Sequence, residues 1–246
     1  MKIIINPAYQ QLADFVSRIP EIFDREGSVI YEGRNVIKVF QAGNIVLNVK
    51  RFKKPSYLNR LVYTFFRSPK AARAYEHALT LLSKGVETPA PIAYIIYREA
   101  GLLSWSYFVS IQIPDVYQTL YEVGQGSIEE NEDIFRALGI YTAHLHQKGI
   151  YHKDYSPGNI LYYRSSEEIK FCLIDINRMS FGTVSLRKGC ANFARLWGKE
   201  KAFRILAESY ADTMRINKTC CVNLVLRYRR SFWRRYAKKY PIKFEM

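Results

Sequence analysis

Acidic residues are scarce in this 246-residue chain: 22 Asp and Glu stand against 37 Lys and Arg, a formal net charge of +15. That imbalance predicts attraction to polyanions, whether nucleic acid, an anionic membrane face or a phosphorylated glycolipid. Cysteine is equally sparse. Cys172, Cys190, Cys220 and Cys221 form no CxxC pair and share no ligand-like spacing with the four histidines, which excludes a disulfide scaffold or a zinc module. They read as reduced thiols in a reducing compartment, so the sequon Asn217-Lys218-Thr219 is accidental. No apolar run reaches the roughly 18 residues of a membrane-spanning helix. The opening MKIIINP carries a hydrophobic run of only three residues, too short for a secretory signal. With 48% hydrophobic and 24% charged residues, the chain reads as an ordinary globular protein long enough for one large domain or two small lobes.

What is present concentrates between Gly149 and Met179, GIYHKDYSPGNILYYRSSEEIKFCLIDINRM. Residues 159–163 and 169–174 read as short strands joined by the polar turn Arg164–Glu168. A loop followed by a hairpin would bring Asp154, Asn159 and Asp175 close in space. Two carboxylates and an amide suit Mg²⁺ and a phosphate donor, because hard oxygen ligands hold the ion and one acceptor remains for a hydroxyl proton.

Upstream, Leu12, Phe15, Val16, Ile19 and Phe23 have helical spacing, and three β-rich runs between Ser28 and Phe52 predict an antiparallel meander. Lys50 near the end of its last strand has two readings: a solvated edge charge, or a phosphate ligand held by a carboxylate. The segment 69–84 predicts a helix with Ala72, Tyr75, Leu79 and Leu82 inward. Glu76 beside that stripe can pair with Lys50. A further pair, Ile92–Arg98 and Leu102–Ile113, completes a five-stranded antiparallel sheet with one large helix, and 112–117 is its connector to the rest.

Beyond it, Ser127 and Glu130 form a capping box for a helix buried through Ile134, Leu138, Tyr141 and Leu145. His144 reads as a surface residue and His146 as a packed one. One helix begins near Cys190. A last helix spans about Thr219–Tyr240, with Val225, Tyr228, Phe232 and Tyr236 on one face. Its segment 227–243 carries eight Arg or Lys and no acid.

The words YHKDYSPGNIL (151–161), LIDINRM (173–179) and VKRFKKP (49–55), with VYTFFRSPKAARAYEHAL (62–79) and NFARLW (192–197), resemble the protein-kinase-like fold. Within it they are most similar to the lipopolysaccharide core sugar kinases (Kdo and heptose kinases) of Gram-negative bacteria. The resemblance spans about Val29 to Tyr210. It implies an α+β, bilobal architecture: an N-terminal lobe, 1–113, with the sheet and helix, and a mainly helical C-terminal lobe, 114–246, with a catalytic loop and β-hairpin. It also implies ATP and Mg²⁺ as cofactors. Asp154 would be the catalytic base, Asn159 and Asp175 the metal ligands, and Lys50, held by Glu76, the ligand of the α- and β-phosphates. His152 would buttress the loop, and Gly158 would permit a tight turn before Asn159.

The substrate implied is a lipid A–core glycolipid, met by a protein that is cytoplasmic or peripheral at the inner face of the cytoplasmic membrane. The Lys50–Lys54 cluster and the basic last helix fit such an anionic membrane surface. The pattern departs from protein kinases in four ways. No GxGxxG is present, Asp175-Ile176-Asn177 replaces Asp-Phe-Gly, Ser156 stands where a Lys is usual, and no long activation segment follows. The last two favour a sugar acceptor over a peptide. Competing readings are a pseudokinase, a kinase of another small molecule or protein, and a basic nucleic-acid- or membrane-binding module on a kinase-like scaffold. The last leaves Asp154, Asn159 and Asp175 without a role.

Overall fold

In the computed structural model, which describes residues 1–245, the isoleucine run at the N-terminus is a strand, β1 (Lys2–Ile5). The chain divides into two compact units, Met1–Pro114 and the residues from Asp115 onward. In the first unit β1 is followed by α1 (Ala13–Ile22), β2 (Ser28–Glu32), β3 (Val36–Ala42), β4 (Ile45–Phe52), α2 (Tyr57–Phe65), α3 (Lys70–Ser83), β5 (Pro91–Glu99) and β6 (Leu102–Ile111). All pairings are antiparallel, in the order β1-β5-β6-β4-β3-β2. The sheet therefore has six strands, not five. β1 is an edge strand of four residues, short enough that its alternation carries no periodic signal.

Period-two alternation assigns the sheet's faces. Leu47 and Val49 of β4, Ala93 and Ile95 of β5 and Tyr107 and Val109 of β6 share one core with Val16, Ile19 and Phe23 of the α1 segment. Phe23 meets Tyr107 edge-on, with ring centroids 5.4 Å apart. The intervening residues lie on the opposite face, where Lys50 pairs across to Phe108 and Phe108 to Tyr94. Helix α3 covers that face through Tyr75, whose ring lies 5.4 Å from that of Tyr94. Its buried residues are Ala71, Ala72, Ala74, Tyr75, Ala78 and Leu81, whereas Leu79 and Leu82 are exposed. Ala72 and Tyr75 face inward as expected, and the stripe continues through Ala78 and Leu81 in place of Leu79 and Leu82. The β5–β6 turn places Ala100 and Gly101 at φ 50° and 77°, the two left-handed positions of a type I′ hairpin.

The second unit holds β7 (Gln118–Thr119), α4 (Leu120–Gln125), α5 (Ile128–Gln147), β8 (Ile150–His152), β9 (Ile160–Arg164), β10 (Ile169–Leu173), β11 (Met179–Phe181), α6 (Leu186–Asn192), α7 (Glu200–Met214) and α8 (Lys218–Tyr236). The expected capping box does not form. The Ser127 hydroxyl donates to Glu129 at 3.0 Å, and the other oxygen of Glu129 pairs with Lys201. The single helix expected from Cys190 is broken into α6, a 3₁₀ turn at Phe193–Arg195, and α7. The break falls around Gly198, whose φ of 131° is open to glycine alone. Helices α5 and α7 pack closely at Gly139, where a Cβ would collide with the Leu206 carbonyl oxygen.

Helix α8 buries Cys221, Val222, Val225, Leu226, Arg229 and Trp233, so its inner face is also rotated from the expected stripe. Arg229 is the charged member of that face. Its guanidinium donates to the Gly198 carbonyl and lies over the Phe203 ring, 4.4 Å from the centroid. Burial lowers its pKa to about 10. Of the eight basic residues in 227–243, this one serves packing. Arg229→Ala removes both contacts and leaves a void and an orphaned carbonyl. It should lower stability by about 3 kcal/mol in urea unfolding. Arg229→Met, which keeps the volume, should lose less.

Candidate active site

The antiparallel pair β8–β11 (His152 opposite Met179) and the hairpin β9–β10 (Ile160 opposite Leu173) frame two loops, 153–159 and 174–178. The loops are laced at both ends by main-chain hydrogen bonds. Lys153 N–H donates to Arg178 C=O at 3.1 Å, and Ile174 N–H donates to Asn159 C=O at 3.0 Å. The polar turn closes the hairpin with the Ser165 hydroxyl oxygen accepting from the Glu167 and Glu168 amides.

His152 sits between the loops and is fully buried. Its Nδ1 accepts the Asp154 amide at 3.0 Å, which leaves Nε2 as the donor to the Ile174 carbonyl at 3.1 Å. Burial lowers its pKa, against the opposing pull of the Ile174 carbonyl, so the ring is a neutral spacer that fixes both loops.

This lacing brings Asp154, Asn159 and Asp175 together. Asn159 donates its side-chain amide to the Asp154 carbonyl at 2.9 Å, which turns its own carbonyl oxygen away from that bond. Asp175 adopts left-handed backbone angles, φ 52° and ψ 43°, a strained conformation for a residue with a Cβ. Its Oδ1 accepts the buried Asn177 side-chain amide. An amide oxygen and a carboxylate are hard ligands of the kind Mg²⁺ takes, though no cluster of three or more His, Cys, Asp or Glu placed to hold a metal occurs among the described residues. Gly158 does not occupy a left-handed turn. A Cβ there would lie 2.8 Å from the Tyr121 ring, so close packing is what requires glycine.

Two residues without a role in the sequence reading lie on Asp154. Arg195 pairs with Oδ1 and Arg178 with Oδ2, the latter at 3.5 Å. Both guanidiniums are substantially exposed, while Asp154 is partly buried. Their only sequence signal was position: Arg178 follows the Asp175-Ile176-Asn177 word, and Arg195 lies within NFARLW.

Behind the loop lies a buried polar chain. Asn192 donates to the His152 carbonyl at 2.9 Å and accepts from His146 Nε2 at 3.0 Å. His146 Nδ1 then accepts the Tyr210 hydroxyl at 2.9 Å. His146 is thus packed, as expected, and burial lowers its pKa to about 4. Between pH 6.5 and 4 the unfolded chain binds a proton at this position and the folded chain does not. Stability is therefore full above pH 6.5 and falls by roughly 3 kcal/mol as pH drops to 4. His152, lowered in the same direction, steepens the slope. Thermal unfolding across this range should show the loss, and His146→Asn should flatten it.

In the first unit, Lys50 lies on the sheet face that α3 covers, with its ammonium 5.4 Å from the Phe52 ring centroid. Glu76 is exposed on α3, and its charge raises the pKa of the Tyr94 phenol after burial has done so. Lys50 and Glu76 therefore belong to the same face of the sheet.

A family model described as the lipopolysaccharide kinase (Kdo/WaaP) family matches residues 34–219, a span that contains all five candidate residues. Over 149 residues the chain is 26% identical to the 3-deoxy-D-manno-octulosonic acid kinase of Vibrio vulnificus (strain YJ016), a match covering 58% of this chain and 62% of the relative. Among solved structures, WaaP in complex with acyl carrier protein superposes with a TM-score of 0.66 at 14% identity, covering 98% of this chain and 100% of that one. A microcompartment-associated aminopropanol kinase gives 0.56 at 11% identity, covering 94% and 91%. These likenesses establish a kinase-like α+β fold.

Proposed function

The chain belongs to the lipopolysaccharide kinase (Kdo/WaaP) family, and on that premise we propose that it transfers the γ-phosphoryl group of ATP to a sugar hydroxyl of the lipid A–core region of lipopolysaccharide. The acceptor is Kdo ahead of heptose. The observation that carries this reading is the pairing of Asp154 with the exposed Arg178 and Arg195. An octulosonic acid offers a carboxylate, which a guanidinium fork binds in a bidentate manner. A heptose does not.

Bound Mg-ATP supplies the phosphoryl group and neutralises charge on its oxygens. Asn159 and Asp175 would hold the ion, and Lys50, steadied by Glu76, would bind the α- and β-phosphates. Asp154 orients the acceptor hydroxyl and takes its proton as the new oxygen–phosphorus bond forms and ADP departs. Phosphoryl transfer asks the protein for positioning and electrostatics above all. The laced loops and the His152 spacer supply the first, and the arginines contribute to the second. The left-handed Asp175, held by Asn177, supports a fixed ligand and not a Phe-dependent switch.

Incubation with Mg-ATP and three acceptors, Kdo–lipid A, heptosylated core and a generic protein, followed by mass spectrometry, tests the proposal. The expected result is one added phosphoryl group on Kdo–lipid A. Transfer to the generic protein alone would overturn it.

A further inference from the structure

Helix α2 inverts the usual arrangement of an amphipathic helix. None of its nine residues is buried, whereas every other described α-helix buries at least two side chains. Its inward side is held by polar bonds. Arg60 donates to the Leu103 carbonyl at 2.7 Å and to the Glu99 carbonyl at 3.1 Å, and the Thr64 hydroxyl accepts the Leu103 amide at 3.0 Å. Lys54, just before the helix, pairs with the Glu99 carboxylate. The outward side is apolar: Leu58 is 75% exposed, Phe65 67% and Phe66 85%, with Tyr57 and Val62 beside them. Such a cluster at i, i+4 and i+7/i+8 is too large and contiguous to be incidental surface.

Charge identifies the occupant. From Arg51 to Tyr75 the chain carries seven basic residues and no acid. Asp24 lies on Arg51, and Glu99 lies on Lys54 and Arg60, two carboxylates against a segment with seven cations. Exposed Lys53 and Arg67 bracket the helix in sequence, one before it and one after. Large apolar side chains framed by cations are the signature of a helix that lies in a bilayer interface. The rings enter the acyl boundary and the cations meet anionic headgroups.

We propose that α2 docks the protein on an anionic lipid bilayer by inserting Leu58, Val62, Phe65 and Phe66. The polar bonds to β5 and β6 hold the helix to the sheet while its apolar side remains outward. Docking of this kind is a property of the first unit alone and does not rest on the kinase activity proposed above.

Sedimentation of the full chain with phosphatidylcholine vesicles containing a quarter phosphatidylglycerol tests it, since neither ATP nor acceptor is needed. The protein should pellet with these vesicles and not with phosphatidylcholine alone. Phe65→Ser/Phe66→Ser, which leaves charge unchanged, should weaken partitioning about tenfold or more. A bimane label on Phe66→Cys, with exposed Cys220→Ser, should shift to the blue on binding. Wild-type partitioning by the double variant, or an unshifted label on bound protein, would overturn the proposal. So would a wild type that is dimeric in solution and made monomeric by the double variant, because a second copy would then cover the face.

Discussion

Asp154→Asn should reduce turnover by about 10²–10⁴-fold while leaving the affinity for ATP nearly unchanged. The substitution keeps the side chain's shape, and the loop's bonds at this position are main-chain ones: the amide to His152 Nδ1 and the carbonyl from Asn159. Those survive. What disappears is the proton acceptor, and with it the charge that tethers Arg178 and Arg195. Because both arginines are solvent-exposed to a substantial degree, the lost pairs should change stability by no more than about 1 kcal/mol. A large kinetic loss with an unchanged melting temperature thus separates a catalytic role from a structural one. Activity within threefold of wild type would show that the proton leaves by another route. If the arginines hold an acidic acceptor, Arg178→Ala should raise KM for Kdo–lipid A far more than it lowers kcat.

The loop-and-hairpin of this site was legible in the sequence because its signals are local. Alternating Ile, Leu, Tyr and Phe on either side of RSSEE define two strands and a turn. The strand ends then fix where Asn159 and Asp175 must fall. The partners of Asp154 were not legible. Arg195 reaches it from a 3₁₀ turn that precedes the chain's break around Gly198, and no periodicity predicts that break. The stripes of α1 and α5 were legible, but two helix faces were misplaced in part. On α3 the large leucines suggested the inner face, yet alanines face the sheet and Leu79 and Leu82 remain outside. On α8 Val225 is buried as expected, but the face also takes in a charged residue, Arg229, whose guanidinium has a carbonyl partner. Both errors come from ranking side chains by hydrophobicity where close approach or a single hydrogen bond decides. Helix α2 was not legible as a helix with an outward apolar face, since nothing in the pattern says on which side its neighbours lie.

The other large effect is expected behind the loop. Asn192→Leu should lower stability by about 4 kcal/mol and the melting temperature by about 10 °C. Asn192, at the end of α6, is the one side chain that joins the Tyr210–His146 pair, on α7 and α5, to the carbonyl of His152 in β8. Leucine approximates its volume but accepts and donates nothing. It leaves the His146 N–H and the His152 carbonyl buried without partners, at about 1–3 kcal/mol each. Neither can turn to water, because His146, His152 and Tyr210 are all buried. Set against a total of about 5–15 kcal/mol, that loss is a large fraction of what holds the fold. Calorimetry should find the drop, and hydrogen exchange should show faster opening at the Asp154 amide, whose acceptor is the His152 ring. If Asn192→Leu melts within about 2 °C of wild type, the buried polar chain does not anchor the loop. The fixed geometry of Asp154 and Asn159 would then have to come from the main-chain lacing alone.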